Sequence, residues 1–324
     1  MDKPLLTIAI PTYNRASWLD LCLSQIVKQA DSHGKLVEIL VSNNNSPDNT
    51  DEVVSKYISS GFAITYIKNT ANIGSDRNLL QCFRRSSGKY VLVMGDDDVL
   101  LDSVLENIVS ILKRGDYGVV FLNSYGFTND FIAEQPRLHL RGYTVYSSAN
   151  EFIRKSSYLT AFISVNIVNK KFVDEMILEQ LLDTNLVHLG WIFSALFNSE
   201  ENVIVNEYSI AARMYNSGGY KLCDVFAVKF NRVFDYFVNR GVDKKKFDII
   251  NNRLLSKFFP AHIVRCRSNL LNLVAEDYYR TLYPLYKTYP KFWLFTVPAI
   301  FLPLPVSKII YTVAKAVRQY TSFR

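Results

Sequence analysis

The sequence predicts an α/β fold with a mainly parallel sheet over residues 1–125, a mixed region over 126–221 and a helical extension over 222–324. Three observations carry this. Short apolar runs alternate with helical patterns in the first segment, four of those runs end in polar segments, and the pattern after Leu222 is mostly helical. Residues 5–10 are the first predicted strand. Residues 16–30 set Trp18, Leu21, Leu23 and Ile26 at helical spacing. Strands are then expected at 37–41, 63–67, 90–94 and 117–122, with helices at 49–57, 77–85 and 102–113. Strands separated by helices of this length indicate βαβ units, whose parallel sheet is buried on both faces. In the extension, Phe226, Phe230, Val233, Phe234 and Phe237 form one apolar helical stripe.

Composition bounds the answer further. With 49% hydrophobic and 21% charged residues over 324 positions, the chain is a folded protein of about two structural units rather than a disordered one. Cys22, Cys82, Cys223 and Cys266 lie far apart and match neither a metal-ligand nor a disulfide spacing, so they read as buried reduced thiols. The apolar run after Met1-Asp2-Lys3-Pro4 is too short for a signal peptide, and a cytoplasmic location is expected. Residues 278–324 contain no acid and seven Lys or Arg, which accounts for the whole net charge of +7. An anionic partner should therefore meet the tail, and charge confined to an apolar tail argues against nucleic acid.

In open parallel sheets, ligands bind beyond the carboxyl ends of the strands. Here those ends carry Pro11-Thr12-Tyr13-Asn14-Arg15, then Ser42-Asn43-Asn44-Asn45, then Asn72-Ile73-Gly74-Ser75-Asp76-Arg77-Asn78, then Gly95-Asp96-Asp97-Asp98. Three successive carboxylates repel one another unless a cation neutralises them, and oxygen donors on a strand end suit Mg²⁺ or Mn²⁺ bridging a diphosphate. The competing reading is a solvated acidic turn or a helix cap from Asp98 or Asp102. The other three strand ends favour the metal.

Taken together and in this order, these four segments resemble the family 2 glycosyltransferases, and Gly95 with the later His188 segment resembles their abequosyltransferase-like, O-antigen-building members. The resemblance spans residues 1–125. It implies a GT-A, Rossmann-like nucleotide-sugar domain in which Pro11, Thr12, Tyr13, Asn14 and Arg15 line the donor pocket with Asn72 and Gly74. Asn43 would stand where the family has a base-reading aspartate, and its amide leaves the base open. Arg77 would meet the base or phosphates, Asp96 the ribose, and Asp97 and Asp98 a Mn²⁺ or Mg²⁺ ion. It also implies transfer with inversion, which needs a base for the acceptor hydroxyl. The family's usual acidic pair is absent; Asp183 and His188 stand in that region, although a lone histidine beside apolar residues is more often structural. Arg213, ahead of Gly218-Gly219, matches the stretch that closes over the diphosphate, or else an ordinary loop.

In the tail, residues 292–307 are uncharged, too short for a confident span and broken by Pro298, Pro303 and Pro305. Residues 307–320 then place Ile309, Ile310, Val313 and Val317 opposite Lys308, Lys315 and Arg318. That pattern suits an anionic membrane surface met by residues 291–324, against the alternative of a packed terminal helix. The resulting expectation is a peripheral enzyme on the inner face of the cytoplasmic membrane. It would move a sugar from a nucleoside diphosphate donor to a lipid-linked O-antigen or capsule acceptor. The rival is a catalytically silent scaffold subunit, which the missing acidic pair permits. A nucleotidyltransferase would need a glycine-rich triphosphate loop that does not occur.

Overall fold

A computed structural model describes residues 3–137, 141–214, 221–268 and 276–312. It divides into two compact units, Met1–Met214 and Tyr215–Arg324. The first contains β1 (Leu6–Thr12), α1 (Ala16–Ala30), β2 (Val37–Asn43), α2 (Thr50–Ser59), β3 (Ile64–Lys68), α3 (Ser75–Arg85), β4 (Tyr90–Val93), β5 (Val99–Leu100) and α4 (Val104–Arg114). It continues with β6 (Val119–Phe127), β7 (Tyr143–Tyr146), α5 (Ala149–Ser156), β8 (Asn166–Asn169), α6 (Met176–Gln180), α7 (His188–Asn198) and β9 (Asn202–Arg213). The nine strands form one sheet in the order β3-β2-β1-β4-β8-β6-β9-β5, with β7 on β9. Strands β3, β2, β1 and β4 are mutually parallel. Strand β8 is antiparallel to both β4 and β6, so it joins the parallel half of the sheet to the rest.

The inner parallel strands β1, β2 and β4 are mostly apolar and buried, as strands covered by helices on both faces are, while β3 at the edge is partly exposed. Leu6, Ile8, Ala9 and Ile10 are all fully buried. In α1 the buried residues Ala16, Leu19, Cys22, Leu23, Ile26, Val27 and Ala30 follow the three-and-four spacing that puts one helix stripe against a sheet. Helix α3 differs. It buries Leu80 and Phe83, but also the polar Asp76 and Asn78, which face the strand ends. Phe83 stacks on Trp191 of α7 at 4.7 Å, tying the α3 and α7 layers together.

The second unit is helical: α8 (Phe230–Val238), α9 (Lys245–Arg253), α10 (Phe259–Arg267), α11 (Tyr278–Tyr286) and α12 (Val297–Phe301). Phe230, Val233, Phe234 and Phe237 of the expected stripe are buried, and Phe234 stacks on Phe247 at 4.4 Å. A polar triad sits inside this aromatic core. Asn231 donates to the Tyr286 hydroxyl at 2.8 Å, and Asn251 donates to the Asn231 carbonyl at 3.0 Å. Satisfied in this way, buried amides specify one packing of the helices.

No described helix is long and apolar enough to cross a membrane. Residues 215–220, with the expected Gly218-Gly219 clamp, and residues 313–324, with half of the expected amphipathic helix, lie outside the described residues.

Candidate active site

The ends of β1, β2 and β4 and the segment after β3 build one continuous polar surface. Asn44 N–H donates to the Thr12 carbonyl at 2.9 Å, extending the β1–β2 ladder into the motif segments. Asn14 sits in the left-handed region at φ 55° and donates its N–H to Ser46 Oγ at 3.0 Å. Asp48 caps two helices at once, accepting from Ala16 N–H at 2.9 Å and from the Thr50 hydroxyl at 2.6 Å. These contacts leave Tyr13 projecting, 44% exposed, with Pro11 half-buried beside the buried Thr12.

The carboxylate cluster lies next to this surface. Thr12 Oγ1 donates to Asp96 Oδ2 at 2.7 Å, and Arg15 Nη1 lies 3.2 Å from Asp96 Oδ1 and 3.4 Å from Asp97 Oδ2. The Ser164 hydroxyl donates to Asp98 Oδ2 and accepts from Gly95 N–H at 2.9 Å, while Arg213 N–H donates to Asp98 Oδ1 at 3.1 Å. Asp97 presents the more open carboxylate, its side chain 11% exposed; Asp96 and Asp98 are each 4% exposed. Burial pushes Asp98 up to about 7, reinforced by the charge of Asp97 and offset in part by Ser164 and Arg213 N–H. Burial likewise pushes Asp96 up to about 6 against the opposing charge of Arg15. Three acids so placed are short of positive charge.

Arg213, whose backbone N–H holds Asp98, carries its guanidinium over the Trp18 ring, 3.0 Å from the centroid, and its buried Nη1 has no hydrogen-bond partner among the described residues. An orphaned buried guanidinium N–H suits an anionic ligand oxygen. The oxygen donors of Asp97 and Asp98 are of the hard type that suits Mn²⁺ or Mg²⁺.

Gly95 is required by this packing. A Cβ there would stand 2.9 Å from Asp98 Oδ2 and 3.2 Å from Asp97 Oδ1. Gly95→Ala is therefore expected to displace both carboxylates and weaken Mn²⁺ binding by about tenfold or more. Isothermal titration of the folded variant with Mn²⁺ and nucleotide checks this.

A second cluster holds the base-side loops. Asn44, 3% exposed, donates to Asn72 Oδ1 at 2.9 Å and accepts from Ile73 N–H at 3.0 Å. Asn72 Oδ1 also accepts from Gly74 N–H at 2.9 Å, and Gly74 takes φ 85° at the N-terminus of α3, where a side chain would be strained.

Asn43 is held inside the protein. It is fully buried, its amide donates to Asp51 at 2.9 Å and to the Tyr66 hydroxyl at 2.8 Å, and its carbonyl accepts from Ser46 N–H at 2.8 Å. These bonds shape the loop after β2.

The third cluster joins α3 to the segment before α7. Arg77 Nη1 lies 3.5 Å from Asp183 Oδ1, with both side chains mostly exposed. Asp76, 6% exposed, accepts from Asn185 N–H at 2.9 Å. Asp183 at φ 64° and Asn185 at φ 61° both adopt left-handed backbone, a strain that the Asp76 anchor holds in place.

His188 is also held inside the protein. It is 5% exposed, its Nε2 is 2.9 Å from the Ala161 carbonyl, and its Nδ1 is covered, without a partner among the described residues. Burial lowers its pKa to about 4, partly opposed by the Ala161 bond. The neutral ring thus braces the segment from Ala161 to Ser164, and Ser164 bonds Asp98.

The residues that motif reading missed are Ser164, Asp76 and Trp18. The carboxylates call for a donor opposite them, but the strand order that delivers Ser164 depends on non-local pairing.

The comparisons agree with this geometry. Residues 7–177 match the family described as glycosyl transferase family 2. An abequosyltransferase of Salmonella typhimurium is 36% identical over 97 residues, 30% of this chain and 29% of that protein. A GalNAc(5)-diNAcBac-PP-undecaprenol beta-1,3-glucosyltransferase of Campylobacter jejuni is 32% identical over 121 residues, 37% of this chain and 38% of that one. The chain thus spans well under half the length of these relatives.

Among solved structures, S. aureus TarS 1–349 in complex with UDP-GlcNAc superimposes with a TM-score of 0.61 at 15% identity, over 97% of this chain and 91% of that one. A mannosyltransferase of Pyrobaculum calidifontis with GDP-Man and Mn²⁺ gives 0.52 at 15% identity, over 96% and 88%. At these identities the likeness shows the GT-A fold. The family match covers more than half of the chain, so this chain belongs to the family 2 glycosyltransferases.

Proposed function

We propose that this chain transfers a sugar from a nucleoside diphosphate sugar to a hydroxyl of a lipid-linked bacterial surface glycan, with inversion and with a divalent metal. The observation that carries this reading is the buried carboxylate cluster at the end of β4, met by Thr12, Arg15, Ser164 and Arg213. In this reading Tyr13, 44% exposed, stacks on the base, and the half-buried Pro11 lines the same wall. Asn14, Asn72 and Gly74 shape the loops around the base, and Arg77 faces the phosphates or the acceptor side. Asp97 and Asp98 hold the metal. Bound there, Mn²⁺ or Mg²⁺ offsets charge on the departing diphosphate. Arg213 Nη1 and Arg15 add hydrogen bonds to the same oxygens, where preorganised donors act strongly.

Asp183 is the general base of this reading, because it is the exposed acid of its segment and its left-handed backbone is held by the Asp76 anchor. A second reading gives that role to His188, favoured by the unpartnered Nδ1. It requires that region to open.

A thermal-shift panel of UDP, GDP, CDP and dTDP, each with and without Mn²⁺, tests the donor site. Stabilisation by one nucleotide that depends on Mn²⁺ and disappears in Asp97→Ala is expected. No response from folded wild-type protein to any of the four sinks the reading and favours a silent scaffold.

The lipid-linked acceptor rests partly on the Campylobacter relative, whose printed name describes an undecaprenol-linked substrate. It also rests on the helical unit. Leu294 is 67% exposed, Phe301 62% and Ile309 65%, with Trp293 and Ile310 about half exposed, in a stretch that carries Lys291 and Lys308 and no acid. Apolar residues left in water beside cations suit the headgroup layer of an anionic bilayer at the inner face of the cytoplasmic membrane. Replacing Leu294, Phe301 and Ile309 together by Ser is expected to reduce co-sedimentation with phosphatidylglycerol vesicles by about tenfold or more. Unchanged sedimentation overturns the peripheral placement.

A further inference from the structure

A cysteine and a histidine far apart in the sequence, Cys223 and His262, meet Glu276 inside the helical unit. Cys223 stands just ahead of a π-helical turn at Asp224–Lys229, His262 and Cys266 lie one turn apart on α10, and Glu276 precedes α11. The Cys223 thiol, a ring nitrogen of His262 and a carboxylate oxygen of Glu276 all lie within 4.8 Å of one another. His262 Nε2 is 3.6 Å from Cys266 Sγ and 4.0 Å from Glu276 Oε1.

These separations are those of a ligand shell. A tetrahedral zinc ion with sulfur at about 2.3 Å and nitrogen at about 2.0 Å sets the two donors about 3.6 Å apart. The donor types, two thiols, an imidazole and a carboxylate, are the ones zinc prefers. Three of the donors are dry, with Cys223 0% and His262 7% exposed and the Glu276 side chain 3% exposed, while Cys266 is half-buried at the edge. Glu276 also accepts from the backbone N–H groups of Cys223 at 3.0 Å and Asp224 at 3.2 Å, which fixes its carboxylate toward the thiol. The His262 ring is held between Phe258, stacked at 6.1 Å, and the edge-on Tyr278. Oriented ligands with outer partners are what a metal site requires. Without an ion, the His262 ring meets only a weak S–H contact from Cys266 at 3.6 Å and the Glu276 carboxylate at 4.0 Å.

We propose that Cys223, His262, Cys266 and Glu276 hold a structural Zn²⁺ ion that fastens the start of the 224–229 turn, α10 and the lead into α11 to one another. All four ligands come from protein, so the site is closed and has no catalytic opening. It lies in the unit Tyr215–Arg324, and it stands or falls independently of the donor site in Met1–Met214.

The test is the metal content of the full chain purified without chelator, measured by inductively coupled plasma mass spectrometry. About one zinc per chain is expected to survive dialysis against Mg²⁺. It should be lost in Cys223→Ser and in Glu276→Gln and retained in Asp97→Ala. Should the cysteine variant fail to fold, wild-type protein stripped of metal and titrated with Co²⁺ decides the matter. A thiolate-to-cobalt charge-transfer band supports the site. Zinc that persists in folded Cys223→Ser overturns it, as does wild-type protein with neither zinc nor a cobalt–thiolate band.

Discussion

Asp98→Asn is expected to make the metal-free protein more stable and, at the same time, to abolish Mn²⁺-dependent donor binding. The two effects have one cause. Asp98 is 4% exposed with a folded pKa of about 7, raised from 3.8 first by burial and then by the charge of Asp97. Between those two values the folded state keeps a proton that the unfolded state has released. Stability therefore falls as pH rises from about 4 to about 7, and the full penalty is present above that.

An asparagine keeps the shape, still accepts from Arg213 N–H, and can donate to the Ser164 hydroxyl that now donates to Asp98. It carries no charge to bury. At pH 8 the variant should gain roughly 2–4 kcal/mol in the metal-free state, with the gain shrinking to nothing near pH 4. Turnover with Mn²⁺ and donor should fall by about 10³-fold, because an amide is a poor substitute for a carboxylate at a hard cation and the diphosphate loses its counter-charge. Denaturation midpoints at pH 4, 6 and 8, with and without Mn²⁺, read both effects. A variant that keeps its Mn²⁺ response removes Asp98 from the metal site. A variant less stable than wild type at pH 8 shows that the buried charge is already compensated.

Much of the parallel half of the sheet was legible from its residues because its signals are local. Apolar runs that alternate with helical stripes located β1, β2, β3, β4 and the intervening helices to within a few residues. Two strand ends differ in the same direction. Strand β1 runs to Thr12 and β2 to Asn43, in register with each other, where apolar content predicted ends at Ile10 and Val41. Hydrophobicity marks burial, while strand pairing continues into the polar motif, so the functional side chains stand on the rigid strand ends themselves.

Long-range pairing was not legible. Strand β8 has polar ends and four residues, Asn166–Asn169, and nothing in its pattern says that it slots between β4 and β6. That placement sets the sheet neighbouring β4, and the segment leading into β8 brings Ser164 to Asp98. Direction of side chains was equally hidden. Asn43 and His188 occupy positions where motif reading expects contact with substrate. Asn43 turns toward Asp51 and Tyr66, and His188 toward Ala161. The Cys223 cluster escaped for the same reason: spacing in sequence records only the one-turn pair His262 and Cys266, and helix packing supplies the other two.

Asp183→Asn is expected to lower kcat by about 10²–10⁴-fold while leaving donor affinity and stability nearly unchanged. The pair that Asp183 makes with Arg77 is 3.5 Å long and mostly exposed on both sides, the kind of contact that contributes little to folding. Its loss should register in chemistry alone. His188→Gln is expected to do the reverse. The ring is buried, and its folded pKa of about 4 lies below the ordinary 6.5 because burial disfavours the cation. A neutral folded histidine contributes stability that is fully present above pH 6.5 and is lost as pH falls toward 4, by up to about 3 kcal/mol. Glutamine has no proton to take up, so the variant should be less stable at pH 7.5 but show a flatter decline between pH 6.5 and 4. Single-turnover rates and denaturation midpoints on both variants separate the two assignments. If folded His188→Gln loses turnover while Asp183→Asn keeps it, the base is His188 acting through Nδ1. The contacts that close over His188 must then part to admit the acceptor hydroxyl before each transfer.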